Sequence, residues 1–474
     1  NYKRLKERHQ KLQDQCDEFF ELVSTNDVPE LGRAMSASRN AREGFGALIS
    51  RVKRLIQRIS RPRSYTAKLH DLSTLFYELG GAGAVYAANH ALTLPSMRVI
   101  QKLRAKFKIA ISVAAVRLGD VSKNISVFFG STPSVRVLHT LALDEINAQS
   151  RTCYMRSTDE IGGLCREHVG YLDSVKMGDT LDTAMDASKA VREGRVHIGK
   201  EVTCAAIFRH AAEGYGAKPV LLSSTCKQGK WEDGVRIMKT ILEAWALSPD
   251  GATRNGPLGS ISSDGDSQRR LSMYYICMER ELGADDSITR YLQGMTGLNL
   301  YTGIGNITMD FDYKHIFKRV CTLLCSKEGL LVNGVLVNKL LVAKWLEKLT
   351  GHDWSDTSIH ALLNPKDAQD VPRAVLLLQR ISDLAKIDAN TLHSPSEQAV
   401  LQAFRLLGGA IEALLEPFLN RALSLSEQLE SLSKAAHIFC ALYRKHGTSF
   451  MSNQLYGDIQ CMIKNAFFSV ARTQ

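Results

Sequence analysis

Apolar positions recur along this chain with two spacings, and the changes from one to the other mark three stretches. In the first stretch the spacing is helical. Leu5, Leu12, Phe19 and Leu22 fall near one stripe of residues 1–24, with mixed charge between them, which predicts a helix and fits a short coiled coil. Asn26-Asp27 and Pro29 close it. Gly44 to Ile59 predicts a second helix, with Leu48, Val52, Leu55, Ile56 and Ile59 on one face and Arg51, Arg54 and Arg58 on the other. Arg61-Pro62-Arg63 stops it, because proline fixes φ and lacks the N–H donor. Asp71 to Leu79 predicts a third, running to Gly80-Gly81 and followed by a helix of small residues. Thr93-Leu94-Pro95-Ser96 then introduces a basic helix, Met97 to Ile109.

Near residue 136 the pattern becomes that of strands. Val135–Leu143, apolar with β-branched residues, and Cys153–Met155, Val202–Phe208 and Pro219–Ser224 are strand candidates. A helix (Trp231–Leu247), a strand (Gly259–Ser263), a helix (Ser267–Leu282) and a strand (Gly305–Phe311) follow. One of the first four strands is expected to be surplus, since short apolar runs are easily over-read. From Lys314 onward the chain reads as almost wholly helical, with stripes through His315–Cys325, Lys339–Leu349, Ala374–Leu384, Glu397–Leu415, Leu423–Tyr443 and Leu455–Val470. The fold class is therefore α/β plus all-α.

Composition narrows the class of protein. Of 474 residues, 45% are apolar and 23% charged, a globular balance that excludes wholesale disorder. No run reaches the roughly 18 uninterrupted apolar residues of a membrane span, so a soluble protein without a membrane partner is expected. The chain opens Asn1-Tyr2-Lys3-Arg4, with no initiator Met and no secretory segment, and reads as a fragment. Ten dispersed cysteines, none in a CxxC, read as reduced core residues. Cys165-Arg166-Glu167-His168 has metal-ligand types but no second pair at zinc-finger spacing, which argues against a zinc site.

Charge changes the picture more. Residues 51–135 carry fourteen Lys and Arg against Asp71, Glu78 and Asp120, a surplus equal to the +11 of the whole chain. Such concentration is the electrostatic footprint of a polyanion binder, although a basic solvated surface gives the same count. Within it Arg98, Lys102, Arg104, Lys106 and Lys108 surround Val99, Ile100, Leu103 and Phe107 on the helix after the turn, the pattern of a helix-turn-helix reader of double-stranded DNA. Asp144 follows one apolar strand, and Asp264 follows another about 120 residues later. Carboxylates gathered at a sheet's carboxyl edge would hold Mg²⁺ or Mn²⁺ and support phosphoryl transfer. From the pattern alone, turn chemistry is favoured over catalysis for both aspartates.

Four strings tip that balance. Leu143-Asp144-Glu145-Ile146, Gly163-Leu164-Cys165-Arg166-Glu167-His168, Ser262-Ser263-Asp264-Gly265-Asp266 and Met309-Asp310-Phe311-Asp312-Tyr313-Lys314-His315 together resemble the P-element and THAP-type eukaryotic DDE/D transposases, and especially their fungal relatives. The resemblance spans roughly residues 65–320 and includes Leu94-Pro95-Ser96 ahead of the basic helix. It implies N-terminal helices over 1–64, a helix-turn-helix-like DNA-binding unit over 65–134 and an RNase H-like core over 135–313. A helical insertion over 314–455 and a helix returning to the core over 456–474 would follow. It assigns Asp144 and Asp264 as catalytic metal ligands with Asp266 in reserve, and Asp312, Lys314 and His315 as a motif at the insertion's entrance. GTP is implied too, but no GxxxxGK[ST] cradle supports it. The family's third acid, a Glu on the return helix, has no match; Asn465 stands near where it is wanted. The expectation is a nuclear, transposase-like protein that cleaves and joins transposon ends and allows a homo-oligomer. Its rivals are a domesticated, inactive DNA-binding or scaffold protein and a helical interaction protein with a purely structural α/β centre. The last requires Asp144 and Asp264 to lie far apart.

Overall fold

In the computed structural model, residues 2–26, 28, 30–57, 65–92, 94–105, 108–130, 135–349, 355–364 and 369–474 are described. The backbone divides into two units, Asn1–Lys108 and Ile109–Gln474. The apolar runs become β1 (His139–Asn147), β2 (Glu201–Arg209), β3 (Lys218–Thr225), β4 (Leu258–Ser263) and β5 (Thr308–Phe311), which hydrogen-bond in the order β3-β2-β1-β4-β5. β2 runs antiparallel to both β1 and β3, while β4 runs parallel to β1 and β5 parallel to β4. Cys153–Met155 is the surplus strand, pairing with Glu160–Gly162 in a small hairpin outside this sheet.

Parallel neighbours need crossovers, and helices provide them. Between β3 and β4 the chain forms the helix Trp231–Leu247, and between β4 and β5 the helix Ser267–Cys277. Alternation along β1 sends Leu141 and Leu143 into the core, where they join Ile207, Val220, Ile237, Met238, Ile241 and Trp245. The 65–134 unit expected from sequence does not hold at its far end. Leu118–Phe129 packs on β3 and on Trp231–Leu247, with Val121, Ile125 and Phe129 fully buried. Its apolar face outweighs the basic character of the segment, so the division falls after Lys108. Arg117 likewise belongs to the larger unit, bonded to Glu160 and Asp120.

The opposite face of the sheet is polar and carries the helix Asn453–Ala471, which packs along β5. Its Asn465 accepts a hydrogen bond from Thr308 at 2.7 Å, and its Lys464 and Arg472 donate to the carbonyls of Tyr301 and Asn306. Between β5 and this helix lie Tyr313–Leu324, Lys339–Leu346, Asp356–Leu363, Val371–Leu384, Pro395–Leu419 and Leu425–His446. A short hairpin, Leu330–Val332 with Val335–Val337, interrupts a stretch read from sequence as wholly helical. Pro395–Leu419 is long and apolar enough to cross a bilayer, and 56% of its most apolar window is buried within the fold. Leu401, Phe404, Leu407 and Ile411 form its buried stripe.

In the smaller unit, Tyr2–Thr25 packs on Phe45–Ile56, with the Phe19 and Phe45 rings 5.4 Å apart. Leu5 and Leu12 of the expected stripe remain exposed. Ala67–Ala91 bends at Gly81, whose φ of 66° and ψ of −159° suit only glycine. The basic helix is Met97–Arg104, anchored by buried Ile100 and Leu94 and by Ser73 Oγ donating to the Pro95 carbonyl at 2.8 Å.

Candidate functional site

Parallel pairing brings the two key aspartates to adjacent strands. Ala142 pairs with Ser262 across β1 and β4, and two residues further stand Asp144, within β1, and Asp264, the residue after β4. Ser262 pairs in turn with Asp310, and the Asp312 N–H donates to the Ser263 carbonyl at 3.1 Å, so Asp312 continues the row on the next strand. By this register Asp144, three residues short of the end of β1, Asp264, just past β4, and Asp312, just past β5, hold corresponding positions on three adjoining strands. Asp144 Oδ1 accepts from the Glu145 N–H at 2.8 Å. Asp264 Oδ1 accepts from the Ser263 hydroxyl at 3.0 Å and the Asp266 N–H at 3.1 Å. In both residues the Oδ2 oxygen carries no hydrogen bond among the described residues. Burial alone would push Asp264 up, but the Asp266 N–H, Arg269, Ser263 and His315 outweigh it and hold the carboxyl below its ordinary value.

A residue that sequence reading passed over fixes this alignment. Arg269, on Ser267–Cys277, is buried and donates to the Leu143 carbonyl at 2.8 Å and to Ser263 Oγ at 3.1 Å. It also binds Glu145 and lies 3.5 Å from Asp264 Oδ1. One guanidinium thus stitches the end of β1 to the end of β4. On the Glu145 side lies a cavity of about 190 Å³, lined by Arg166, Glu167, Thr203, Lys227, Lys230 and Arg269 among others. Arg166 donates to Thr203 at 2.8 Å, and Thr203 to Glu145 at 3.0 Å, linking the cavity wall to the strand tips.

The other sequence candidates take local roles. Asp266 caps Ser267–Cys277, accepting from the N–H groups of Gln268 and Arg269. Asp312 caps Tyr313–Leu324 through the Lys314 N–H and holds His315 Nδ1 at 2.7 Å, so the Asp-x-x-His spacing is a helix-start pair. The Lys314 ammonium lies 5.9 Å from the Tyr313 ring centroid. Asp310 sits one step deeper in the sheet, and burial, reinforced by Asp312, pushes its carboxyl up to about 7. The return helix does bring an acid to this edge, at Asp458 rather than near Asn465. Asp458 is buried, clasped by Arg270 through two 2.8 Å bonds and by Arg319. Its Oδ2 lies 3.2 Å from where a side chain on Gly265 would begin.

The second ligand pair that Cys165 and His168 lack in sequence is supplied in space. Cys165, His168, His197 and Cys226 bring four ligand atoms within 4.8 Å of one another, a group able to hold a metal ion. Cys165 Sγ lies 3.3 Å and Cys226 Sγ 3.5 Å from His168 Nδ1, and the His168 and His197 rings are 4.3 Å apart. Burial, with Cys165 beside it, pushes the Cys226 thiol up. The second pair was missed because His197 and Cys226 lie 29 and 58 positions beyond His168. They are brought back by the turn into β2 and the end of β3. Cys165-x-x-His168 was the available signal, and it was half of a set.

Arg98, Lys102 and Arg104 of the basic helix, and Lys108 beyond its end, are exposed, while Lys106 lies outside the described residues. Arg104 rests over the Tyr77 ring and 3.6 Å from Glu78, so part of its charge is balanced locally. No protein-family profile, no curated protein and no solved structure matches this chain.

Proposed function

We propose that the chain is a transposase-like polynucleotidyl transferase, acting on DNA in the nucleus and cleaving and joining strands with Mg²⁺ or Mn²⁺. The observation that carries this reading is the parallel register of β1 and β4, in which Asp144 and Asp264 each stand two residues beyond the Ala142–Ser262 pair. It counts against the purely structural reading, which needs these acids far apart. The mixed sheet, with β2 antiparallel to β1 and with β4 and β5 running parallel to β1, supports an RNase H-like reading of the core.

The donor set suits a hard divalent cation: carboxylate oxygens, two of them without a hydrogen bond. Asp144 and Asp264 would hold the ion, with Asp312 next in line. When bound, the ion would neutralise the phosphodiester and stabilise the leaving oxygen. Arg269 keeps the two aspartates aligned and offsets part of their mutual repulsion. A water or a DNA 3′-hydroxyl would then attack phosphorus and give its proton to solvent, and the bond to the leaving strand would break as the leaving oxygen takes a proton from solvent. Arg98, Lys102 and Lys108 would contact phosphates and position the duplex without reading its sequence. No glycine-rich phosphate loop supports GTP, and it forms no part of the proposal.

A second reading, a DNA-binding protein without catalysis, is favoured by the third acid. Asp312 is engaged as a helix cap and Asp458 is held by two arginines, so neither offers an uncommitted carboxylate. Nicking of supercoiled DNA separates the two. Wild-type protein should nick with Mg²⁺ and stop with EDTA, while Asp144→Asn and Asp264→Asn should bind DNA normally and lose at least 100-fold in nicking (about 2.7 kcal/mol). Binding without any metal-dependent nicking selects the second reading. Nicking retained in both variants removes the aspartates from the chemistry.

A further inference from the structure

The Cys165 cluster lies off the acidic row, and its geometry is specific. A tetrahedral Zn²⁺ with Zn–S of about 2.3 Å and Zn–N of about 2.0–2.1 Å requires sulfur and nitrogen ligands roughly 3.5 Å apart. Cys165 and Cys226 meet that requirement at 3.3 Å and 3.5 Å from His168 Nδ1. Three separate backbone segments are already knitted around these side chains. The Cys165 N–H donates to the His197 carbonyl at 2.9 Å, the Gly199 N–H to the Gly163 carbonyl at 2.8 Å, and the Arg166 N–H to the Ser224 carbonyl at 3.0 Å. Glu167 accepts from the Cys226 N–H at 3.2 Å, supplying the hydrogen-bonded surround that ligands of a metal usually have.

A second observation comes from packing. The excursion between β1 and β2 has its own apolar cluster of six buried residues: Ile161, Leu164, Val169, Ala187, Ala190 and Val196. Two of the six are alanines. So few buried side chains are a small core for an excursion that runs from residue 148 to residue 200. Small lobes with such cores are commonly stapled by a metal.

We propose that Cys165, His168, His197 and Cys226 bind one Zn²⁺ in a closed, tetrahedral, structural site, which fastens this excursion to the end of β3. Binding releases the two thiol protons, and four protein ligands leave no open position for substrate. The fastening holds Arg166 and Glu167, which lie between two of the ligands in sequence, in the wall of the cavity beside Glu145. The site is independent of any reaction at Asp144 and Asp264.

Elemental analysis of the purified full chain should give one zinc per chain, and native mass spectrometry should show zinc added with two protons lost. Cobalt replacement should give the intense visible bands of a tetrahedral ion together with thiolate charge transfer. Cys226→Ser and His168→Ala should lose the stoichiometric metal, His168→Cys should keep it as a three-thiolate site, and Asp144→Asn should keep it unchanged. Should a ligand variant fail to fold, the wild-type mass and cobalt spectra decide alone. Substoichiometric zinc, an octahedral cobalt spectrum, or a Cys165–Cys226 disulfide found by alkylation without reductant overturns the proposal.

Discussion

His139 shows how one side chain can hold a strand and sense acid. It begins β1 fully buried between the Phe129 and Trp245 rings, with Nδ1 2.9 Å from the Val137 carbonyl and Nε2 without a hydrogen-bond partner among the described residues. Burial pulls its pKa from 6.5 down to about 4. Below the higher value the unfolded chain binds a proton that the folded ring refuses, so stability should fall as pH drops from about 6.5 to about 4. The limit of the loss is about 3 kcal/mol at 1.36 kcal/mol per unit. Denaturant titrations at several pH values should show this slope, and His139→Leu should flatten it; an unchanged slope would place the sensitivity elsewhere. At this scale legibility depended on whether a residue's partners are near in sequence. Asp144 and Asp264 were readable because each ends its own apolar run. Arg269 was not, since its partners Leu143 and Glu145 lie more than 120 positions away. His197 and Cys226 were unreadable for the same reason.

Secondary structure elements were the most legible level. Trp231–Leu247 has the same bounds in sequence and structure, and the sheet strands lie within a few residues of their apolar runs. The hairpin at Leu330–Val337 escaped because three-residue strands leave no period to detect. Leu118–Phe129 was assigned to the wrong unit because charge was weighed over its apolar face. The glycine break at Gly80-Gly81 was read correctly, and it supplies a test. A Cβ on Gly81 meets nothing within 4 Å, so Gly81→Ala strains the backbone without any clash. It should destabilise the smaller unit by about 1–3 kcal/mol, or straighten Ala67–Ala91 into one continuous helix. Thermal melts and helix content by circular dichroism separate those results, and an unchanged melt with unchanged helicity would mean the bend carries no strain.

For the whole molecule, the +11 surplus is the property most open to measurement. Arg54, Lys68, Arg98, Lys102 and Lys108 are exposed without ion-pair partners among the described residues, whereas Arg51, Lys53 and Arg104 are balanced by Glu43, Glu18 and Glu78. If about five phosphates are engaged, log K should fall against log salt with a slope near −4.5 for duplex DNA. Lys102→Ala should reduce that slope by about one unit across unrelated sequences. Fluorescence anisotropy at graded salt measures both, and an affinity indifferent to salt would rule out phosphate contact as the source of binding.

The helix Asn453–Ala471 has a consequence for biosynthesis. All five strands have been synthesised once Phe311 is added, yet the helix that covers the polar face of β5 is still some 140 residues from synthesis. At about 5–20 residues per second the nascent sheet waits roughly 7–28 seconds with that side uncovered. During that interval Thr308 and the Tyr301 and Asn306 carbonyls lack the side chains that will later bond them. A half-made chain would therefore present its acid-bearing edge before the element that braces it arrives. A chaperone acting between those two moments would meet the protein at its most exposed.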